Sequence, residues 1–203
     1  MLLFPKFLRR SHSLAILTIF LFQAGVKMAP SQVSQQATSS AGQRISVLIR
    51  TDREKYSTGD TVRLDVSLQN TSDATVYVDR RMFWGGFAGG LKLEISDEQG
   101  KPVPSHVLHD AMMPPPKEGD TSILVRLDSG FFYGTWLDLP VKESFPKPGR
   151  YSLRVIYKSW LRKEFVAPQL RDLPALWADS PEIASQLAWV EIQQNSATSK
   201  PNQ

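Results

Sequence analysis

Apolar and polar residues alternate most regularly between residues 62 and 69 of this chain. The apolar residues are Val62, Leu64, Val66 and Leu68, and the polar residues between them are Arg63, Asp65, Ser67 and Gln69. A period of two places successive side chains on opposite faces of a β-strand. The pattern therefore predicts a strand with Leu64 and Val66 in the core and Arg63 and Asp65 at the surface.

Six other segments are also typical of short strands. They lie at 44–51, 76–78, 91–95, 123–127, 151–157 and 188–192. Residues that favour turns separate several of them, at 56–60, 70–73 and 97–100. About seven short strands without a long helical period predict an all-β fold, an antiparallel sandwich. Residues 158–186 form an unusually long connection before the last predicted strand.

The segment that leads into the predicted strand at 151–157 has the pattern Gly149-Arg-Tyr151. It resembles the tyrosine corner of immunoglobulin-like domains, where a tyrosine hydroxyl binds backbone a few residues upstream. Together with Tyr56-Ser-Thr-Gly-Asp60, it makes residues 44–193 similar to bacterial extracellular immunoglobulin-like modules. The resemblance implies an immunoglobulin-like β-sandwich and says little about function, because this fold supports many unrelated roles.

A second resemblance rests on the Asn70-Thr71 turn after the strongest predicted strand. The turn is similar to one in bacterial proteinase-inhibitor domains of the BsuPI type. This resemblance implies that an inhibitor of extracellular proteases is an alternative function.

The amino end has the three parts of a secretory signal. Lys6, Arg9 and Arg10 precede an apolar run at 14–22, and small residues follow it. We expect residues 1–29 to be a signal peptide, 30–43 a flexible linker and 194–203 a disordered tail, around one domain at 44–193. The run is too short to cross a bilayer, so we expect a secreted or periplasmic protein without stable membrane insertion after cleavage.

The formal net charge of +4 depends on the leader. Four of the 24 basic residues lie within 1–29, which leaves 20 basic residues against 20 acidic ones. The two signs are mixed along the chain, whereas nucleic-acid binders usually carry a basic stripe. We therefore expect no nucleic-acid partner.

The sequence offers little chemistry for catalysis. It contains no cysteine, no Gly-x-Ser-x-Gly elbow and no phosphate-binding loop. His106 and His109 could form part of a metal site, but their spacing suits a helix and the prolines at 114–116 oppose one there. Asp52, Glu54 and Asp60 could hold calcium or could simply belong to a solvated turn. We expect no enzyme, no bound metal and no cofactor, and a metal-dependent enzyme is the least favoured alternative.

Aromatic residues are the best candidates for a binding surface. Trp84 and Phe87 lie in a glycine-rich segment at 82–90, and 131–136 is a second aromatic segment. The long connection at 158–186 contains Trp160, Phe165 and Trp177. Exposed rings favour partner binding, because tryptophan is enriched at binding hot spots. The alternatives are that the rings at 83, 84, 131 and 136 fill the core and that the long connection covers a sheet edge.

From the sequence we therefore predict an exported, non-enzymatic module that binds a protein or a cell-envelope component. The predicted contact residues are Trp160, Phe165, Trp177, Trp84 and Phe87.

Overall fold

A computed structural model describes residues 44–85, 90–104 and 120–194, which belong to one compact unit spanning Ala37–Gln203. These residues form eleven strands. The strands are β1 (Ile45–Thr51), β2 (Lys55–Ser57), β3 (Thr61–Asn70), β4 (Val76–Asp79), β5 (Leu91–Asp97), β6 (Pro102–Val103), β7 (Leu124–Leu127), β8 (Phe132–Pro140), β9 (Gly149–Tyr157), β10 (Ile183–Ala184) and β11 (Ala188–Gln193). A four-residue helix, α1 (Val141–Ser144), follows β8, and 3-10 turns lie at Lys163–Phe165 and Pro168–Leu170.

The strands form two main sheets and a separate pair. The small sheet has the order β1-β3-β8, and β4 pairs only with β7 among the strands. The large sheet has the order β2-β11-β9-β5-β6, and β10 pairs with β9 beside β11. All pairs are antiparallel except β2 with β11, which run parallel. The predicted all-β sandwich is confirmed, with this parallel pair as a correction.

The core lies between the two main sheets. Leu64 and Val66 of β3 are buried, as are Leu153 and Val155 of β9, and they belong to one hydrophobic cluster. Arg63 lies exposed on the opposite face of β3. The predicted register of the strongest strand is therefore confirmed.

The chain changes sheets between β1 and β2. β1 pairs with β3 in the small sheet, whereas Tyr56 of β2 pairs with Ile192 of the last strand in the large sheet. The sequence predicted only a turn at 56–60, and this is partly wrong because Lys55–Ser57 is a short strand. The turn itself begins at Ser57, whose carbonyl accepts the Asp60 N–H at 2.9 Å.

Asn70 is fully buried at the end of β3. Its Nδ2 donates to the Ala74 carbonyl at 2.7 Å and to the Leu127 carbonyl at 2.9 Å. Its Oδ1 accepts from the Ser72 N–H and the Ser72 hydroxyl. The amide is thus satisfied on both sides, and the buried Asn70 side chain connects the end of β3 to the end of β7.

The tyrosine corner expected at Tyr151 is present. The Tyr151 ring is buried, and its hydroxyl donates to the Lys147 carbonyl at 2.8 Å. Phe145 packs edge-on against the ring, with 5.0 Å between the ring centres. The bond fixes the chain where it leaves α1 and enters β9.

Four strands were missing from the predicted set of seven. β2, β6 and β10 are only two or three residues long, which is too short for a period to emerge. β8 is nine residues long, and the aromatic residues at its start conceal the strand period in the sequence. No helix within the described ranges is long and apolar enough to cross a membrane.

Candidate functional site

Strand β8 carries large aromatic residues on its outer face. Phe132 and Trp136 are 70% and 56% exposed, and Phe131 just before the strand is 64% exposed. Tyr133 and Leu137 alternate with them and turn inward, where Leu137 joins the core. Two residues of a strand that are four apart lie about 13 Å apart on one face. Both rings are therefore available to a single partner.

Gly134 lies between these two rings in the sequence. A Cβ at this position would collide with the backbone carbonyl of Val66 on the neighbouring strand. The close approach of β8 to β3 thus requires glycine. It also leaves a gap between Phe132 and Trp136 on the outer face.

The neighbouring strands complete this surface. Gly134 pairs with Ser67 of β3, and Ser67 pairs with Leu48 of β1, which is 45% exposed. We call the outward residues Leu48, Ser67, Phe132, Gly134 and Trp136 the aromatic face.

A charged pair borders the aromatic face beside Trp136. The Arg63 guanidinium lies 5.0 Å from the centre of the Trp136 ring. Its Nε is 3.1 Å from the Asp65 carboxylate, and Asp65 pairs with Trp136 across the two strands. This arrangement orients the indole and places a cation and an anion at the edge of an apolar surface.

The hypothesis that the aromatic residues of these segments fill the core is wrong for most of them. Phe131 and Trp136 are exposed, as given above, and Phe83 is 42% exposed. Trp84 alone is buried, and its Nε1 donates to the Trp136 carbonyl at 3.3 Å. The sequence reasoning missed the strand period in 132–140, which would have placed Phe132 and Trp136 on the face opposite Leu137 and Leu139.

The inner side of the long connection at 158–186 forms a second, smaller core. Trp177 is buried there together with Ile123, Leu124, Leu161 and Val166. The backbone also follows the edge of β4: the Tyr77 N–H donates to the Pro174 carbonyl at 3.0 Å, and the Leu176 N–H donates to the Tyr77 carbonyl at 2.9 Å. This side of the connection therefore covers a sheet edge.

The outer side of the same connection exposes two rings. Trp160 is 45% exposed and Phe165 is 47% exposed. The Arg162 guanidinium lies 6.0 Å from the centre of the Phe165 ring. The connection thus has a structural side and an exposed side.

The structure separates the five contact residues predicted from the sequence. Trp160 and Phe165 are accessible, whereas Trp177 and Trp84 are each less than a tenth exposed and belong to different clusters. Phe87 lies outside the described residues. The buried pair stabilises the fold and is not accessible to a partner in this structure.

Two of the three candidate calcium ligands, Asp52 and Asp60, are already used as hydrogen-bond acceptors. The Asp52 carboxylate accepts from the Tyr56 hydroxyl at 2.7 Å and from the Arg63 N–H at 3.1 Å. Asp60 accepts from the Ser57 N–H at 2.8 Å. No group of three or more potential metal ligands is found in the part of the chain that the structure describes. His106 and His109 lie outside that part.

The pKa values of Asp52 and Tyr56, which are joined by a hydrogen bond, are shifted in opposite directions. Burial first, and then donation to Asp52, raise the pKa of Tyr56 to about 12. Burial opposes ionisation of Asp52, but hydrogen bonds from Tyr56 and Arg63 outweigh it and hold its pKa below the ordinary value. The lowered pKa means that the Asp52 carboxylate stabilises the fold above pH 3.8, the ordinary value, and less as the pH falls through the folded value.

We expect Asp52→Asn to lower stability at neutral pH and to flatten its dependence on pH below 3.8. The free energies of unfolding of wild type and variant should therefore converge as the pH falls. Urea denaturation over a pH series measures this, and Asp73→Asn is the matched control, since Asp73 accepts no hydrogen bond among the described residues. A constant offset between the Asp52 curves would contradict the assignment.

Comparisons with known proteins leave the family open. No family model matches the chain, and no curated protein matches it significantly. Among solved structures, a β-glucosidase from Erythrobacter marinus has 12% identity and a TM-score of 0.33, over 73% of this chain and 15% of its own. A β-glucosidase from Listeria innocua in complex with glucose has 12% identity and a TM-score of 0.30, over 73% and 16%. This chain spans less than a quarter of those enzymes, and similarity at this level carries no argument about fold or activity.

Proposed function

We propose that this protein is an exported, non-enzymatic module that binds a protein partner at the cell envelope through its aromatic face. The single observation behind this proposal is the exposure of Phe132 and Trp136 on one face of β8. Large exposed apolar surfaces are uncommon on monomeric proteins and are typical of interaction sites. Export rests on the leader at 1–29, with its basic start and apolar run.

The composition of the aromatic face supports a protein partner. Tryptophan and arginine are the residue types most enriched at hot spots, and here Arg63 lies against the Trp136 ring. Asp65 holds the guanidinium, so little side-chain freedom remains to be lost when a partner covers the pair. The aromatic face also lies on a strand, which holds its side chains more rigidly than a loop would.

Trp136→Ala should weaken partner binding by about 2 kcal/mol or more, about thirtyfold in affinity, because it removes the central ring of the aromatic face. The measurement is recovery of partners from an envelope fraction on the immobilised domain. Trp160→Ala is the matched control, since it removes a comparably exposed tryptophan from the long connection.

Both variants must remain folded, which thermal unfolding checks. Loss of the same partners with Trp160→Ala but not with Trp136→Ala would move the contact surface to the long connection. Equal recovery with all three proteins would overturn the proposed function of the aromatic face.

A further inference from the structure

Strand β8 lies at the edge of the small sheet, where β3 is its only partner among the strands of the described ranges. In an antiparallel strand, the backbone groups of successive residues point alternately toward the partner strand and away from it. The Phe131 carbonyl accepts the Asn70 N–H of β3 at 2.9 Å. The Trp136 carbonyl instead accepts from Trp84 Nε1 at 3.3 Å, and Trp84 lies outside the small sheet. The backbone groups of the even-numbered residues of β8 therefore point to the edge.

Two of these residues, Phe132 and Gly134, make no backbone hydrogen bond at the edge within the described part of the chain. Gly134 is exposed, and because glycine has no side chain, its accessible surface belongs to the backbone. Edge strands are commonly protected by charged residues or proline, and residues 132–136 contain neither. The open part of the edge thus begins at Phe132 and ends at Trp136, where Trp84 occupies the carbonyl.

The edge and the aromatic face are formed by the same residues of β8. A strand added at this edge would lie about 4.8 Å from β8 and continue the alternation of its side chains. Its outward side chains would pack beside Phe132 and Trp136, and Gly134 leaves room between the two rings. Pairs of an aromatic and a β-branched residue are favourable across neighbouring strands. A segment with a β-branched residue at every second position therefore complements both the backbone and the rings.

Asp138 adds a charge to this surface. It is exposed on the same face, two residues beyond Trp136, and it makes no salt bridge within the ranges that the structure describes. Arg63 lies opposite Asp138 in the register, but its Nε lies 3.1 Å from the Asp65 carboxylate. A basic residue at the amino end of an antiparallel segment would lie next to Asp138 and match its charge.

We infer that the protein partner of the aromatic face binds as an extended strand added antiparallel to β8, the orientation that is more stable per residue. The bound segment has a basic residue at its amino end and β-branched residues at alternate positions after it. The inference rests on the proposed function and specifies how the partner binds. Backbone hydrogen bonds to Phe132 and Gly134 supply affinity, and the alternate side chains supply specificity.

The test uses the acetylated and amidated peptide Lys-Thr-Val-Thr-Val-Thr-Val as the probe, titrated into the isotope-labelled mature protein. We expect the bound peptide to slow hydrogen exchange of the Phe132 and Gly134 amides, which NMR measures for each residue. The matched control is the same peptide with its valines N-methylated, which keeps the side chains and removes the N–H groups that face β8. It should bind at least about tenfold more weakly, equivalent to about 1.4 kcal/mol.

Phe132→Pro and Phe132→Ala provide a second comparison, since both remove the ring and only proline removes the N–H at the edge. Phe132→Pro should bind the peptide about fivefold more weakly than Phe132→Ala, the effect of one backbone hydrogen bond. The comparison of the two peptides stands even if Phe132→Pro fails to fold.

Three results would overturn the inference. They are unchanged exchange of the Phe132 and Gly134 amides, equal affinity for the two peptides, and protection of these amides by raised protein concentration alone. The last result would assign the edge to a second copy of this chain. The proposed function is tested separately, because loss of envelope partners with Trp136→Ala would support it whichever of these results is found.

Discussion

Leu153→Ala is expected to lower the free energy of unfolding by about 2–5 kcal/mol, and Leu64→Ala by a similar amount. Both leucines are fully buried in the cluster between the two sheets. Each truncation removes apolar contacts and leaves a cavity that close-packed neighbours can fill only in part. Urea denaturation of the folded domain measures the loss.

The matched control for this experiment is Arg154→Ala, one position along β9 with its side chain on the outer face. It should change stability by about 0.5 kcal/mol or less. A one-residue shift in register would exchange the two faces of the strand. Small, equal losses for Leu153→Ala and Arg154→Ala would therefore contradict the sandwich as described.

Trp177→Ala is expected to cost about 3–5 kcal/mol, because the ring fills the second core beneath the long connection. Trp160→Ala in the same connection should cost only about 1 kcal/mol, the usual effect of a single substitution, since its ring is 45% exposed. Thermal or urea unfolding of the two variants measures the difference. A small effect of Trp177→Ala would mean that the connection does not depend on this core.

Strand period and register were predictable from sequence where apolar and polar residues alternate cleanly. β3 is the clearest example, since Leu64 and Val66 alternate with charged residues and are buried as expected. Tyr151 was predictable for a different reason, because a glycine and a turn precede it at a fixed distance, and its hydroxyl makes the expected backbone bond.

β8 escaped prediction because both of its faces carry apolar residues. Phe132 and Trp136 point outward while Leu137 and Leu139 point inward, so hydrophobicity alone shows no period of two. The sequence therefore suggested a core segment where the structure has a partly exposed strand. This strand carries the aromatic face. The exposed rings that form the candidate site are therefore the same residues that conceal the strand in the sequence.

Contacts between strands that are far apart in the sequence could not be predicted from local patterns. Ser96, Ser152 and Trp189 are far apart in sequence and meet only because β5, β9 and β11 are neighbours in the large sheet. No local pattern encodes that strand order. The same holds for Trp177 and Ile123, which share a core only once the long connection folds back.

The central claim is that a protein partner contacts the aromatic face. Photo-crosslinking in the exported protein tests it most directly, with a photoreactive residue at position 132 in one sample and at position 165 in another. Phe132 lies on the aromatic face and Phe165 on the exposed side of the long connection, with exposures of 70% and 47%. We predict a discrete crosslinked complex from position 132 that Trp136→Ala abolishes. A complex from position 165 alone, or none from position 132, would contradict the claim.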